Sequence, residues 1–225
     1  MSTVRNLVSQ VRSSPKLISA DTIISDRVIL DLLRTGNIKF VVQRLDTRQG
    51  WTDPNLFSLF SCIPLKDVPI AECCDVELDC KISRSVNKLP KIVGTKFNLA
   101  VQGVWGINRK SRFIESNPNR YANSVKLNNK KEHKSFWILN DYLYLSKSGI
   151  ELASMSAFTE QFVDPSLYSC DADKSKCPIN PLDLEFKTLK GLEDDVVTYT
   201  TQKILERYYQ IPVDKSTNNI DEQSR

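Results

Sequence analysis

The sequence is poor in the residues from which most enzyme sites are built. It contains one histidine, His133, which lies in a lysine-rich stretch. Its seven glycines form neither a phosphate-binding loop nor a dinucleotide-binding fingerprint. A serine or cysteine nucleophile paired with a histidine base is therefore not expected. Asp194 and Asp195 fit the first turn of a helix better than acid-base catalysis. We expect no enzymatic activity and no cofactor.

Long apolar runs are also missing from the sequence. The longest cover only a few residues, whereas a membrane-spanning helix needs roughly 20. The first residues, MSTVRNLVSQVRSS, lack the apolar centre of a secretory signal. We therefore expect a protein that is made and kept in a cytoplasm and that has no membrane partner. With 225 residues, of which 40% are hydrophobic, the chain can build a core without metals or disulfides.

The cysteines do not follow a zinc-binding pattern. No C-x-x-C pair occurs, and His133 adds no convincing ligand. We expect reduced thiols, some of them buried as small apolar side chains. If any pair oxidises after release from a cell, we expect Cys170 with Cys177, because these two bracket a polar loop. The six cysteines are Cys62, Cys73, Cys74, Cys80, Cys170 and Cys177.

The clearest structural pattern is FWILNDYLYL, at residues 136–145. Two aromatic and aliphatic runs flank Asn140 and Asp141, and both of these residue types tolerate the positive φ of a two-residue hairpin turn. Alternation along the strands directs Phe136 and Trp137 to opposite faces. Because a hairpin with two apolar faces is marginally stable alone, other elements must cover it.

Helical spacing of apolar residues occurs near both ends of the chain. Residues 1–15 contain a short helical pattern, which is either an arm that packs on a neighbour or a frayed terminus. The stretch from Ala20 to Arg48 predicts one long helix with a weak point at Gly36-Asn37, or two helices joined there. After Gly191, three acids in the first turn predict a last helix that reaches about Gln210, with Val197, Thr201, Ile204 and Tyr208 on its apolar face.

Between these helices the pattern becomes strand-like. Residues 51–78 contain three prolines and short apolar pieces, which predicts loops, edge strands and a single helical turn. Alternation predicts a strand from Cys80, in which Arg84 is a polar exception, and another over Phe97–Trp105. A further strand is predicted within 150–162.

Residues 109–134 are the most basic stretch, with eight lysines and arginines against two glutamates. Within it, Asn117-Pro118-Asn119 marks a turn or the start of a short helix that carries Tyr121. The cations and nearby aromatic residues could neutralise phosphates and stack bases. They could equally form a solvated loop face, and the net charge of only +4 does not favour a dedicated nucleic-acid binder.

Residues 160–195 carry the opposite charge, with nine acids against four lysines. If the basic and acidic stretches lie on opposite flanks of the fold, identical copies attract each other head to tail. Such heterologous contacts can close a ring.

Two parts of the sequence resemble known phage proteins. The first is the central series QGVWGINRKSRF, NPNRYANSVKL, FWILNDYLYLS and MSAFTEQF, within Asp79–Phe162. It resembles virion structural proteins of crAss-like and related short-tailed bacteriophages. The second is LEDDVVTYTTQKILERYY from Leu192, followed by a polar tail that begins at a proline. This ending is similar to head-to-tail adaptors that dock on a phage portal, in which a helical bundle carries an inserted β region.

The resemblance implies a structural role rather than a catalytic one. The expected function is a ring in the head-to-tail connector, with about twelve copies, that joins the portal to the tail and lets DNA pass. The implied partners are further copies of the chain, the portal protein, other tail or ring proteins, and DNA in transit without sequence recognition. The implied location is the virion, after assembly in the bacterial host cytoplasm. The alternative is a nucleic-acid-binding accessory protein that uses the basic stretch 109–134.

The sequence and the resemblance together predict an α+β fold. In it, helical N- and C-terminal segments pack together, with an inserted antiparallel β-rich region and an extended C-terminal tail. The expected division is one domain over 1–225, with a helical part at 16–50, a mainly β insert at 51–165, a loop at 166–190, a helix at 191–210 and a tail at 211–225.

Two sets of contact residues are predicted with this fold. The residues expected to bind the portal are Tyr208, Tyr209, Ile211, Pro212, Val213 and Ile220. Those expected between subunits are Arg109, Arg112, Lys126, Lys130, Lys131, Lys134, Asp171, Asp173 and Glu185.

Overall fold

The computed structural model of the protein describes residues 2–14, 17, 24–47, 50–53, 55–72, 81–126, 134–170 and 179–209. In these ranges, helices form near both ends of the chain and a β-barrel forms in the middle. The predicted α+β class is therefore confirmed. The predicted tail at 211–225 lies outside the described residues.

The described residues form four α-helices and seven strands. The α-helices are α1 (Val4–Arg12), α2 (Asp26–Asp46), α3 (Pro118–Lys126) and α4 (Glu193–Ile204), and a π-helical turn follows α4 at Leu205–Tyr209. The strands are β1 (Ser58–Pro69), β2 (Lys81–Ser85), β3 (Val101–Gly106), β4 (Arg112–Glu115), β5 (Ser135–Leu139), β6 (Tyr142–Leu145) and β7 (Leu152–Ala157).

The strands close into a barrel in the order β1, β2, β6, β5, β4, β3, β7. Six of the neighbouring pairs are antiparallel, as expected for the β region. β4 and β5 pair in parallel, and the prediction missed this pair. Because β7 pairs back with β1, the described strands leave no open edge that could pair with another chain.

The predicted hairpin is present as β5 and β6. Asn140 and Asp141 have φ values of 52° and 66°, and these positive values match the strand twist of a tight hairpin. Phe136 lies in the barrel core, while Trp137 lies on the outer face, where it stacks at 6.0 Å on Tyr144. The predicted assignment of the two faces is therefore correct.

Strand β1 contradicts the prediction of loops and edge strands for residues 51–78. It runs for 12 residues through Pro64. The proline is tolerated because β1 changes partners there: it pairs with β7 up to Pro64 and with β2 from Leu65. The carbonyl of Pro64 accepts a hydrogen bond from the Val86 N–H at 2.8 Å. The strand therefore lacks only the hydrogen bond that a backbone N–H at this position would donate.

The strand predicted over Phe97–Trp105 is shorter than expected. β3 begins at Val101, and Phe97 lies in a preceding loop with 67% of its surface exposed. A turn causes this difference, because Thr95 and Asn98 exchange hydrogen bonds that close the loop before the strand can begin.

Helix α1 packs on its own chain and does not fray. Its apolar residues Val4, Leu7, Val8 and Val11 are buried in a cluster with residues of α2 and α4. The Val4 N–H also donates to the Leu184 carbonyl at 3.0 Å. The expectations of a frayed terminus and of an arm on a neighbour are therefore wrong for these side chains, which α2 and α4 cover.

Helix α2 is continuous through Gly36 and Asn37, so the version with two joined helices is wrong. Gly36 allows α4 to approach closely, since an added Cβ would lie 2.7 Å from Cδ1 of Tyr199. Asn37 is buried, and its Nδ2 donates to the Lys187 carbonyl at 2.8 Å. The two residues that look like a break in the sequence are thus packing sites.

A disulfide joins Cys62 of β1 to Cys170, with the Cα atoms 5.0 Å apart. The expectation that all thiols are reduced, and the expected pairing of Cys170 with Cys177, are therefore both wrong. Cys62 lies at the register shift between Phe60 and Ile63, where β1 faces the short helical turn Pro165–Tyr168. Within that contact, Tyr168 packs edge-on against Phe60 at 4.9 Å.

Candidate interaction surfaces

The two ends of the barrel are built differently. At one end, Leu89 and Ile92 enter the barrel core, and Val93 packs with α2. Main-chain hydrogen bonds from Val93 to Phe158, from Phe158 to Ala100 and from Ala100 to Val93 lock this region, all at 2.8 to 3.0 Å. We call it the covered end, because α2 and the segment that contains Leu89 and Ile92 shield it.

The opposite end of the barrel is open. Strands β3 and β6 end there, and β4, β5 and β7 begin there. A cavity of about 370 Å³ lies at this end. We call it the barrel mouth and define it by its lining residues, which are Gly106, Ile107, Asn108, Ser111, Phe113, Lys134, Lys147, Gly149, Ile150, Glu151 and Leu152.

The barrel mouth combines an apolar floor with a basic rim. Phe113 is buried in the barrel core, and Ile150 packs against the same core. Lys134 and Lys147 supply two ammonium groups, and Glu151 supplies the one carboxylate among the lining residues. Such a site favours a group that carries negative charge next to apolar surface.

The turn between β3 and β4 forms one side of the mouth. The Arg109 N–H donates to the Gly106 carbonyl at 2.8 Å, and Arg109 adopts a φ of 52°. The Asn108 side chain accepts from the Lys110 N–H at 3.1 Å. These local bonds hold the exposed Arg109 and Lys110, together with Ile107, which is 47% exposed, at the rim.

The turn between β6 and β7 forms the other side. Asp67 of β1 accepts hydrogen bonds from the Gly149 N–H at 2.9 Å and from the Ser83 hydroxyl at 3.0 Å. Gly149 has a φ of 74°, which a side chain would strain. This carboxylate fixes the turn that carries Lys147 and Ile150.

The structure describes only some of the predicted subunit-contact residues. Arg109 and Lys134 both lie at the open end, where Lys134 Nζ donates to the Ser111 hydroxyl at 3.0 Å. Arg112 donates to the Gln102 carbonyl at 3.3 Å. Glu185 is ion-paired with Lys187 in the same chain. Lys126 ends α3, and its side chain is not described; Lys130, Lys131, Asp171 and Asp173 lie outside the described residues.

The predicted portal-binding residues begin at the end of α4. Tyr208 is 50% exposed, so it does not belong to the buried face of the helix as predicted. That face consists of Val196, Thr200, Thr201 and Ile204. Tyr209 lies in the π-helical turn, and its side chain is not described. Ile211, Pro212, Val213 and Ile220 lie outside the described residues.

Sequence reasoning missed a basic aromatic face on α2 and α4. Lys39 Nζ lies 4.9 Å from the ring centre of Tyr199, and Lys203 Nζ lies 5.9 Å from it. Lys203 also pairs with Glu206, whose carboxylate accepts its hydrogen bond and raises the lysine pKa. Only the Lys203–Glu206 spacing could have been read from the sequence.

A second missed contact lies on the outer face of the barrel. Arg84 of β2 forms an ion pair with Glu72 and lies 4.7 Å from the ring centre of Tyr142. The sequence identified Arg84 only as an exception within a strand. Its partners come from β6 and from the turn after β1, so strand pairing alone brings them together.

The described residues offer no recognisable metal centre and no membrane span. No group of three or more histidine, cysteine or acidic side chains among them could hold a metal ion. Likewise, no helix in the described ranges is long and apolar enough to cross a bilayer.

Comparison with known families identifies the chain from its sequence. The family described as phage tail ring protein 2, of the crAss-like ring proteins, matches residues 6–223. The chain belongs to this family. The match extends from α1 through the barrel and beyond α4, so the predicted resemblance to crAss-like phage proteins is confirmed. The chain is a structural ring protein of the phage tail, and its location is the virion. No curated protein matches the sequence.

Proposed function

We propose that this ring protein forms one layer of the head-to-tail connector, which joins the portal to the tail. About twelve copies would surround a channel, and DNA would pass through it without sequence recognition. The chain would act there as one domain over 1–225 and would be assembled in the bacterial host cytoplasm. Its role would be mechanical, with no catalytic step.

The family match over residues 6–223 is the observation that carries this proposal. It includes the helices and the barrel together, which supports the proposal that the chain acts in the ring as one unit. The closed barrel supports a rigid building block, because its described strands leave no edge for unspecific pairing.

Contacts between subunits would use charge of opposite sign. Among the predicted basic residues, Arg109 and Lys134 are the best candidates for such contacts, because both lie at the open end of the barrel. Arg112, Lys126, Lys130 and Lys131 remain proposed contacts, as do Asp171, Asp173 and Glu185. Glu185 would have to exchange its Lys187 partner to take part.

Docking on the portal would use the end of α4 and the residues after it. Tyr208 is half exposed at this end, as an anchoring residue requires. Tyr209, Ile211, Pro212, Val213 and Ile220 are proposed to complete the contact. Each copy need contribute only about 1–2 kcal/mol of binding free energy, because all copies of a ring bind the portal at the same time and their weak contacts together give tight binding.

Electron microscopy of the purified chain, alone and mixed with the candidate portal protein, tests this function. We expect an added layer on the portal, in which the copies can be counted. A chain that stays monomeric alone is compatible with assembly templated by the portal. Deletion of residues 211–225 should leave a folded chain that no longer binds the portal, with circular dichroism as the control for folding.

The outcome that contradicts the proposal is equally specific. No association with the portal, combined with salt-sensitive retention of DNA in a shift assay, would favour a nucleic-acid-binding accessory protein. Undiminished portal binding after the deletion would refute the role of the tail.

A further inference from the structure

The barrel mouth has the chemistry of a docking site for an acidic and aliphatic segment. Its floor contains Phe113 and Ile150, and its rim presents Lys134 and Lys147. Arg109 and Lys110 add exposed positive charge on the adjoining turn. An occupant therefore needs carboxylates for the rim and aliphatic groups for the floor.

One segment of this chain has that composition. Residues 75–79 read Asp-Val-Glu-Leu-Asp, so three carboxylates alternate with two aliphatic side chains. The segment lies outside the described residues, between Glu72 and Lys81. The eight residues that separate these two positions can span at most roughly 26–29 Å when fully extended.

The flanking residues show where this connection leaves the barrel. Pro69 of β1 pairs with Lys81 of β2, beyond the level at which Asp67 holds the Gly149 turn. Ile70 packs with the apolar residues of the outer face, and Glu72 pairs with Arg84 there. The connection thus starts at the open end of the barrel but on its outside, while the mouth opens along the barrel axis.

We propose that the acidic segment 75–79 of one copy docks in the barrel mouth of the next copy in the ring. This inference rests on the proposed ring, because the ring places identical copies side by side. Each copy then gives one segment and receives one, which is the head-to-tail contact that closes a ring. Lys134 and Lys147 bind the carboxylates, and Ile150 and Phe113 contact Val76 and Leu78.

A peptide assay tests the mouth without the portal. The probe is a fluorescent peptide of residues 71–82 with its three cysteines replaced by serine, and the readout is fluorescence anisotropy with the full chain. We expect saturable binding that weakens as salt is added. Lys134→Glu with Lys147→Glu should weaken binding by about 10-fold or more, while the control Lys66→Glu with Lys190→Glu should change it by less than about 2-fold.

Two further peptides resolve the source of the affinity. A peptide with Val76 and Leu78 replaced by serine keeps the charge and should bind more weakly, because the apolar floor loses its contact. A peptide with Asp75, Glu77 and Asp79 replaced by their amides should lose the salt dependence. Equal binding of all three peptides, or no binding of the original one, overturns the proposal.

A mixing experiment tests the contact between copies. The Lys134→Glu/Lys147→Glu chain cannot receive a segment, and the Asp75→Asn/Glu77→Gln/Asp79→Asn chain cannot give one. Mixed together, they should form a dimer in sedimentation experiments, although neither variant associates alone. If the triple variant binds the peptide much more tightly than the unaltered chain does, at concentrations where sedimentation shows that both are monomeric, the segment occupies the mouth of its own copy, and the proposal is wrong.

Failure of the proposed docking site and failure of the proposed connector role give different experimental results. A chain that forms a layer on the portal but does not bind the peptide retains the connector role and loses the docking site. A chain that binds the peptide through its mouth but adds no layer retains the docking site and loses the connector role.

Discussion

The covered end and the open end of the barrel are formed by the same strands. They differ in how far their apolar side chains are buried and in how their polar groups are hydrogen-bonded. At the covered end, Ile92 and Phe158 are buried and their neighbourhood is closed by main-chain hydrogen bonds. At the open end, Ile107 is half exposed, and Lys134 and Lys147 are among the residues that line a cavity. From this contrast we expect one end to stabilise the fold, while the other leaves exposed surface for the contacts proposed above.

A matched pair of substitutions gives the largest expected difference between the two ends. Ile92→Ala should lower the free energy of unfolding by about 2–4 kcal/mol, because it removes buried methyl groups and leaves a cavity. Ile107→Ala should change it by less than about 0.5 kcal/mol, since that side chain is already half solvated. Urea unfolding followed by circular dichroism measures both. Similar losses for the two variants would contradict the contrast.

The wall between the two ends is crosslinked by Cys62 and Cys170, which are 108 residues apart in sequence. Closing so long a loop restricts the unfolded chain, and we expect the oxidised protein to exceed the reduced one in stability by roughly 2–4 kcal/mol. Thermal unfolding with and without a reductant measures this difference. Cys62→Ser should abolish it, whereas the control Cys177→Ser should leave it intact. Loss of the difference in the Cys177→Ser chain would instead support the pairing of Cys170 with Cys177.

The helices at the covered end depend on the close approach of α2 to α4. Gly36→Ala should destabilise the fold by about 1–3 kcal/mol, because the new methyl group meets the Tyr199 ring. Tyr199→Leu in the same chain should recover part of this loss by removing the ring edge. A double-mutant cycle in urea measures the coupling between the two sites. Additive effects would show that α4 does not hold the ring against Gly36.

The smallest expected effect concerns Glu115, which ends β4 beside Leu99. Burial raises the pKa of this carboxyl, and the hydrogen bond from the Leu99 N–H opposes that shift. A raised pKa in the folded state means that stability falls as the pH rises through the window between the unfolded and folded values. Glu115→Gln should therefore gain a few tenths of a kcal/mol at about pH 7, after discounting for solvent screening, and gain nothing at about pH 3. Unfolding at both pH values checks the sign; a loss at neutral pH would contradict it.

Elements that depend on neighbours in sequence were predictable. The Asn140-Asp141 turn was found because those two residue types tolerate positive φ, and the start of α4 was found because three acids follow Gly191. The phage family could also be recognised, since the central resemblance extends over the residues that form β2 to β7 of the barrel.

The open end was only partly predictable from the sequence. The basic stretch drew attention to Arg109 and Lys134, but Lys147 and Ile150 lie outside that stretch and carry no signal of their own. They reach the barrel mouth because β6 and β7 flank a turn that Asp67 holds from another strand. The docking residues after Tyr208, and the single-domain division, stay predictions.

The sequence by itself determined the hairpin, the start of α4, the α+β class and the family. Each of these depends on local turn chemistry, on side-chain periodicity or on short sequence stretches that resemble a known family. Only the tertiary structure decided the closure of the barrel, the parallel pairing of β4 with β5, the passage of β1 through Pro64 and the pairing of Cys62 with Cys170. These features join residues that are far apart in the chain. Their free energy comes from burial and strand register, and no single stretch of the sequence contains both partners.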